Sequence, residues 1–423
     1  MMTPRIDSPT AGTFRPCNST VWARERQIFL LLGLSAACEG SDDATPYGLG
    51  AVVEDSAGVT IVTNYPAAPD SRLPWQFGAQ PSLSIGSVES GEADELFRVL
   101  DATVLADGRI VIANFGSGEL RVFNADGSHS GTWGRQGEGP GEFSSGPGTV
   151  AHWPGDSIAA LGGYRVSLFD MDGNHGRDIA LDVTLTGVVD LLPDGKLFAS
   201  GGLLLNRRAT GSPDLIRSDT EWAVLGVDGT RDVSLGEFPA WEDWAVTMPD
   251  GSIGEQTHPF GRRTVGTLWG NLLAIGVQDS YEIKAFAPDG SLVRIVRRNS
   301  APRKATQTEL DEYFARQVAG RPAEVQTRML NMVRDMPLVE SHPAFEEIVG
   351  DRAGYLWVRE YRMFGEGDVV WTVFDPEGRI EGLVETPVGL EIFEIGEDYV
   401  LGLVEDELGV EYVQLWALDR GAG

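Results

Sequence analysis

Cysteine is almost absent from this sequence. Its 423 residues include two cysteines, Cys17 and Cys38, and none follows Cys38. Residues 39–423 therefore hold no thiol that could form a disulfide, act as a nucleophile or ligate zinc. Disulfides, cysteine nucleophiles and cysteine-ligated zinc sites are therefore excluded from the body of the chain.

Basic residues are scarce relative to acidic ones. There are 33 Lys and Arg against 63 Asp and Glu, which gives a formal net charge of −30. Nucleic acids are bound mainly by Lys and Arg that neutralise phosphates, so we expect no nucleic-acid partner. Any partner surface is expected to be neutral or basic.

Long apolar runs are missing as well. The longest extends from Ile28 to Ala37, about half of what a membrane-spanning helix needs, so the chain is not expected to cross a membrane. Arg24 and Arg26 precede this run and small residues end it, which is the pattern of a secretory signal peptide. We predict that residues 1–37 are such a signal and that the protein is exported.

Cys38 follows the small residues Ser35, Ala36 and Ala37 directly. This arrangement resembles the lipobox of bacterial lipoproteins, although that family prefers leucine where Ser35 stands. The resemblance implies lipid attachment at Cys38 and anchoring on the periplasmic or cell-surface side of a membrane, with no other membrane contact. The alternative is a plain secreted protein in which Cys38 is incidental. Residues 38–50 are small and polar, which predicts a flexible tether.

Glycine, by contrast, is in excess, with 53 residues against a typical usage of about 7%. Many of these glycines end a repeated apolar segment with Asp-Gly or a similar pair. The copies are residues 120–127, 166–173, 222–229, 283–290, 371–378 and 413–419. A second apolar segment, opened by another turn, precedes each copy, at 107–114, 155–161, 194–200, 269–275, 354–359 and 396–401.

Asp-Gly between apolar runs predicts β-hairpins with type I′ turns. Each repeat is therefore interpreted as a meander of four strands, and repeats of about 40–50 residues predict the blades of a β-propeller. We predict an all-β fold, a six-bladed propeller over residues 51–423. The last copy has no room for a fourth strand, so residues 82–86, with Val59–Thr63 as a further candidate, are expected to complete the last blade.

One segment departs from the repeat. Near residues 305–337 the apolar positions recur with helical spacing, and Thr306 with Glu309 forms a capping-box sequence. Gly320 is expected to end this helix, and Pro322 suits the start of a second. The sequence predicts a short helical insertion, and core packing is the leading interpretation of its apolar face.

Candidate binding residues lie near the ends of the second strands, on the face opposite the Asp-Gly turns. Long connections collect on that face, and binding residues are usually found on such loops. The candidates are Asn114, Tyr164, Gln278, Arg359, Glu360 and Arg362. Ordinary polarity at the rim of the predicted channel is the alternative interpretation of each.

Motifs for catalysis or metal binding are not legible. Asp170–Asn174 resembles the start of a calcium loop, but Leu181 stands where that loop needs a bidentate glutamate. The glycine-rich stretch Gly134–Gly141 has no Lys-Ser/Thr pair after it, so it is interpreted as a connection between blades. The histidines show no zinc spacing, and no nucleophile elbow is evident. We predict no catalytic residue, metal or cofactor, and calcium is unsupported.

The stretch Trp133–Phe143, followed by Phe169–Gly173, resembles the NHL-type repeat. Residues 55–63, 83–86, 107–114 and 354–358 resemble the bacterial six-bladed β-propeller proteins of the NHL/TolB-like superfamily, which are often exported lipoproteins of unknown activity. The resemblance covers about residues 50–420. Enzymes of similar fold, such as gluconolactonases, hold a metal or an acid in the central channel, but their motifs match no residues here.

Two functions follow as hypotheses. The first is a non-enzymatic, monomeric binding or scaffold propeller of the bacterial cell envelope, which engages a protein, peptide or glycan through its long loops. The alternative is a metal-dependent hydrolase or lactonase of the gluconolactonase type, using acids in the central channel.

Overall fold

The computed structural model describes residues 50–87, 91, 94–201, 215–247, 251, 253–363 and 368–421. Thirty β-strands and two α-helices form within these ranges, so the predicted all-β class is confirmed. The predicted signal peptide, Cys38 and nearly all of the predicted tether lie outside the described residues. In the described part of the chain, no helix is long and apolar enough to cross a membrane.

Four short strands open the described chain. They are β1 (Ala51–Ser56), β2 (Val59–Asn64), β3 (Gln76–Phe77) and β4 (Leu83–Ile85).

Six meanders of three or four strands follow, and we number their sheets in chain order. Sheet 1 contains β5 (Val99–Val104), β6 (Ile110–Asn114), β7 (Glu119–Phe123) and β8 (His129–Trp133). Sheet 2 contains β9 (Thr149–Trp153), β10 (Ser157–Gly162), β11 (Arg165–Asp170) and β12 (His175–Ala180).

Sheet 3 begins with β13 (Gly187–Leu191) and β14 (Leu197–Ser200). After β15 (Leu215–Ile216), it continues with β16 (Asp219–Leu225) and β17 (Arg231–Pro239). The strand β15 instead forms a small separate sheet with β18 (Asp243–Thr247) and β19 (Ile253–Thr257).

Sheet 4 contains β20 (Thr264–Trp269), β21 (Leu272–Val277), β22 (Glu282–Phe286) and β23 (Leu292–Arg298). The helices α1 (Gln307–Val318) and α2 (Ala323–Val333) come next. Sheet 5 contains β24 (Glu347–Gly350), β25 (Leu356–Arg359), β26 (Val369–Phe374) and β27 (Ile380–Thr386). Sheet 6 contains β28 (Glu391–Ile395), β29 (Tyr399–Glu405) and β30 (Glu411–Asp419).

The hairpin turns fall where the glycine pattern placed them, but the predicted type I′ geometry is wrong. In the turn after β7, Gly127 has φ +83°, and among the described non-glycine residues a positive φ occurs at Ala57, Arg98 and Asp156 but not at Asp126. Asp126 instead accepts a hydrogen bond from the backbone N–H of Ser128 at 2.9 Å. This local bond favours a type I turn followed by one left-handed glycine, with a register shift in the third strand.

The amino-terminal strands confirm one prediction and correct another. Strand β4 pairs with β30, with Leu83 opposite Leu415, so residues 83–85 complete sheet 6 as expected. Residues 59–63 do not join that sheet, because β2 runs parallel to β23 at the edge of sheet 4. Val62 is buried there, and the Asn64 amide bonds Gly378 O at 2.9 Å and the N–H of Ile380 at 3.0 Å. Apolar cover for an otherwise open strand edge explains this placement.

The core lies between successive sheets rather than inside any one of them. Buried apolar clusters join sheets 1 and 2, 2 and 3, 3 and 4, 4 and 5, and 5 and 6. A sixth cluster joins sheet 6 to sheet 1 and contains Ile85, Ile110, Leu401 and Val413. Every sheet is therefore packed on both faces, as the apolar strands require.

The predicted helical insertion is confirmed between residues 305 and 337. Thr306 caps α1, and the reciprocal capping bonds with Glu309 are both present. Leu310 is buried in a separate apolar cluster with Trp244, Phe260 and Val339. The helical insertion thus packs against Trp244 on β18 and Phe260 after β19, as an apolar helix face predicts.

Candidate functional site

A central cavity of about 670 Å³ lies where the first strands of all six sheets meet. Residues from β5, β9, β13, β20, β24 and β28 line it, together with the turns that follow β20 and β24. Four-stranded sheets whose first strands share a cavity define a fold of the β-propeller type.

Five acidic side chains line this cavity. Glu347 and Asp351 come from β24 and the turn after it, and the other three are Asp101, Asp190 and Glu394. A register shift interrupts the strand pairing at each of these other three, in β5, β13 and β28. A β-bulge of this kind changes the direction in which a side chain points. The three shifts therefore explain how acids within apolar strands come to line the cavity.

Each of the three acids at the register shifts bonds the first strand of the following sheet. Asp101 Oδ2 accepts from the N–H of Val150 at 2.9 Å, and Asp190 Oδ2 accepts from the N–H of Leu268 at 3.2 Å. Glu394 Oε2 accepts from the hydroxyl of Thr103 at 2.6 Å, which links sheet 6 to sheet 1. The acids thus act as links between neighbouring sheets.

Burial raises the pKa of three of the acids, Asp101, Asp190 and Glu347. It raises the pKa of Asp101 to about 8, against the opposing effect of two backbone N–H bonds and with help from the charges of Asp190 and Glu394. It also raises the pKa of Asp190 to about 6. Asp101 is therefore mainly protonated at neutral pH. Within the ranges that the structure describes, no group of three or more His, Cys, Asp or Glu could hold a metal ion.

None of the six sequence-predicted binding residues lines the central cavity. The cavity is bounded by first strands, whereas these residues lie near the ends of second strands or beyond them, one layer further out. Asn114 and Gln278 are buried. Asn114 Oδ1 accepts from the N–H of Phe97 at 2.8 Å, and its amide donates to Ser117 Oγ at 2.8 Å.

Three of the predicted residues meet at Glu346. Gln278 Nε2 donates to Glu346 O at 2.8 Å, and Arg359 Nε lies 2.8 Å from Glu346 Oε2. The N–H of Arg362 donates to Glu346 Oε1 at 3.2 Å. This cluster joins sheet 4 to sheet 5 at the end of the connection that carries the helices.

Glu360 is the fourth member of this region. Its carboxylate forms a bidentate ion pair with Arg298, with N–O distances of 2.6 and 2.9 Å. It also accepts from Thr372 at 2.6 Å and from the buried Tyr281 hydroxyl at 3.1 Å. Arg298 and Glu360 border a small cavity of about 180 Å³. Tyr164 lies apart on sheet 2, with its side chain exposed.

A buried histidine ties the helices to sheet 5. His342 Nε2 lies 3.0 Å from Glu309 Oε2 on α1, and its Nδ1 lies 3.0 Å from the Tyr361 hydroxyl. The ring also packs on Phe260, with 4.6 Å between centroids. The helical insertion is therefore fixed to the propeller by specific polar contacts.

Exposed large apolar side chains are unevenly distributed. We define the loop surface by three kinds of segment. They are the turns between the second and third strands of each sheet, the connections between sheets together with the first residues of the next strand, and the two helices. Eight of the eleven exposed large apolar residues in the described ranges belong to the loop surface: Phe97, Leu100, Tyr164, Val183, Leu330, Leu338, Val388 and Leu408. The other three are Val227, in the turn between β16 and β17, and Val52 and Val53 on β1. We call the turns between first and second strands and between third and fourth strands the opposite turns.

Sequence reasoning named none of the three acids at the register shifts and, of the eight exposed apolar residues of the loop surface, only Tyr164. Each acid does carry a signal, because it interrupts an apolar first strand, as in Val99-Leu100-Asp101 and Val188-Val189-Asp190. Among 63 acidic residues, however, this signal is weak without the strand order. Exposed single apolar residues carry no sequence signal of their own.

Comparisons with solved structures find similar folds at low identity. A protein of Bacteroides fragilis assigned as exported is 14% identical, with a TM-score of 0.44 over 86% of this chain and 99% of that one. The β-propeller domain of Cps50 (Swd1) from Myceliophthora thermophila is 11% identical, with a TM-score of 0.37 over 80% of this chain and 99% of that one. Virginiamycin B lyase from Staphylococcus aureus is 10% identical, with a TM-score of 0.36 over 81% of this chain and 99% of that one.

Such distant likenesses carry no information on activity. No family model and no curated protein matches the sequence.

Proposed function

We propose that the six sheets are the blades of one closed six-bladed β-propeller spanning residues 51–423. Two features support this: buried clusters that link each sheet to the next and sheet 6 to sheet 1, and a cavity lined by all six first strands. Residues 1–37 act as a lipoprotein-type signal and residues 38–50 as a tether. Cys38 anchors the exported protein to an envelope membrane.

We further propose that the protein is a non-enzymatic binding propeller of the bacterial cell envelope. The observation that carries this proposal is the concentration of exposed large apolar side chains on the loop surface. Exposing such side chains on a rigid framework is costly in water and becomes favourable when a partner covers them. The opposite turns are short and polar, so they offer less to a partner.

The chemistry of these side chains narrows the partner. Leucine, valine and phenylalanine gain most from apolar contact, which favours a protein or peptide over a glycan. The net charge of −30 favours a neutral or basic partner surface.

The test replaces Tyr164, Val183 and Val388 together by serine in the full-length protein. We expect loss of the proteins that co-purify from envelope extracts. The control is Val227→Ser, which removes an exposed valine from the opposite turns and should change nothing. Equal recovery with both variants would remove the loop surface as the binding site.

A metal-dependent hydrolase or lactonase is the second candidate, favoured by the convergence of Asp101, Asp190 and Glu394 in one cavity. Against it, these carboxylates already accept hydrogen bonds from neighbouring strands. Elemental analysis of protein purified without chelators tests it. The binding proposal predicts no stoichiometric Ca²⁺ or Zn²⁺, whereas a bound metal lost in Asp101→Asn together with Asp190→Asn would support the hydrolase.

The anchor is tested separately by Cys38→Ser. We expect this variant to leave the membrane fraction and appear in the soluble fraction, because the lipid would be its only hold on the bilayer. A variant that stays with the membrane would contradict lipidation.

A further inference from the structure

Three of the exposed apolar residues lie where sheet 6 meets sheet 1. Phe97 and Leu100 flank the start of β5, and Leu408 lies in the turn before β30. Their exposed fractions are 60%, 46% and 88%. We call these three side chains the junction patch.

A hydrogen bond joins the segment that carries Phe97 and Leu100 to the segment that carries Leu408. Glu411, at the start of β30, accepts from the N–H of Val99 through Oε2 at 2.9 Å. In the sequence, Val99 lies between Phe97 and Leu100, and Glu411 lies three positions after Leu408. The same junction contains the buried cluster of Leu96, Val99 and Leu403, so residues next to Phe97 and Leu100 in the chain are held in packed core.

The backbone holds these side chains outside. The N–H of Phe97 donates to the buried Asn114 side chain at 2.8 Å, and its carbonyl accepts from Gly116 at 2.9 Å. Its ring lies directly over Gly116, where a Cβ would collide with it. In the other turn, Asp406 Oδ1 accepts from the N–H groups of Leu408 at 2.8 Å and Val410 at 2.9 Å. The patch is therefore preformed, which lowers the entropy cost of binding.

Carboxylates accompany the patch along the sequence. Glu95, Glu405, Asp406 and Glu407 are exposed on the same two segments. The same stretch also carries the exposed Arg98, next to Phe97, whose guanidinium lies 4.6 Å above the ring of Phe115. Four exposed carboxylates against one guanidinium leave the surroundings of the apolar side chains net negative.

We propose that the junction patch binds a cationic amphipathic segment of a partner protein, whose apolar side chains contact Phe97, Leu100 and Leu408 while its Lys or Arg residues meet the flanking carboxylates. This inference rests on the proposed binding function and specifies its partner. A second copy of this chain would bring two net charges of −30 together, and an anionic bilayer would likewise be repelled. Charge complementarity therefore selects a basic polypeptide.

The test measures fluorescence anisotropy of a short labelled peptide of leucines and lysines with the full chain. Phe97→Ser with Leu408→Ser should weaken binding about tenfold or more. Glu405→Gln with Glu407→Gln should weaken it about threefold at low salt, with a smaller effect at high salt. The matched controls are Val227→Ser and Glu377→Gln on the opposite turns, which should leave binding unchanged.

Several results would overturn the inference. These are no binding of the lysine peptide, equal binding of a peptide with glutamate in place of lysine, or equal losses in the control variants. Dimerisation of the chain, or its flotation with phosphatidylglycerol vesicles, would also overturn it if either were abolished by Phe97→Ser with Leu408→Ser. If the junction variants bind normally while the Tyr164, Val183 and Val388 variant loses its co-purifying proteins, the binding function stands and this inference fails.

Discussion

Buried polar side chains in this protein are used mainly to join one segment of chain to another. Asn114 and Gln278 stand at the ends of second strands, where the sequence suggested ligand contact, yet both amides bond neighbouring backbone. Asp101 and Asp190 do the same between first strands. Sequence position could predict where these residues lie along a strand but not their partners. Asp101, Asp190 and Gln278 bond residues at the next sheet. Asn114 bonds Phe97, which precedes the first strand of its own sheet.

At this scale, Asp101 should make stability depend on pH. Its ordinary pKa is about 4, and burial raises it to about 8 in the folded protein. Between these values the folded state keeps a proton that the unfolded chain releases, so the free energy of unfolding should fall as pH rises, by up to about 1.4 kcal/mol per pH unit. Asp190 adds to the fall up to about pH 6.

Urea unfolding from pH 4 to pH 9 measures this slope. Asp101→Asn should flatten it, whereas Asp126→Asn, at an exposed turn, should not. The same slope between pH 5 and pH 8 in the wild type and in Asp101→Asn would show that Asp101 ionises normally.

Asn114→Ala should destabilise the fold by about 1–3 kcal/mol, because the N–H of Phe97 loses its acceptor. Thermal unfolding compares it with Asn124→Ala, whose side chain is more exposed. A change no larger than that of the control would mean that water replaces the lost bond.

At the scale of elements, local pattern predicted the strands, hairpins and helices well. The Asp-Gly turns and the Thr306–Glu309 capping box lie where the sequence placed them. The turn type was wrong because the aspartate side chain stabilises an ordinary type I turn. The predicted pairing of β2 with the last sheet was wrong, because an apolar strand indicates burial but not which open edge it will cover.

The helical insertion offers a prediction at this scale. His342→Ala removes the contacts with Glu309 on α1 and with Tyr361, which follows β25 of sheet 5. We expect amide exchange in α1 to become about tenfold faster or more, while exchange in sheet 1 stays unchanged. His129→Ala, at a half-buried position on β8, is the control. Unchanged exchange in α1 would mean that its apolar packing alone holds it.

At the scale of the whole molecule, the account depends on closure between sheets 6 and 1. Strand β4 supplies the missing outer strand of sheet 6, and Ile85 is buried in the cluster that joins the two sheets. The sequence could predict this closure because the last repeat visibly lacks a strand. It could not predict the loop surface, since exposure is decided by packing among distant segments.

Ile85→Ala should therefore cost about 2–5 kcal/mol in the free energy of unfolding. Val53→Ala, at an exposed position on β1, should cost less than about 0.5 kcal/mol. Chemical denaturation compares the two. Equal small effects would argue that β4 contributes little to the contact between sheets 6 and 1.

Site-specific photo-crosslinking in producing cells tests the binding role most directly. A photoreactive amino acid is placed at Val388 or Leu408 on the loop surface, and at Val227 on the opposite turns. We predict adducts to the same partner protein from the first two positions and none from Val227. Adducts from Val227 alone, or equally from all three positions, would contradict a partner bound through the loop surface.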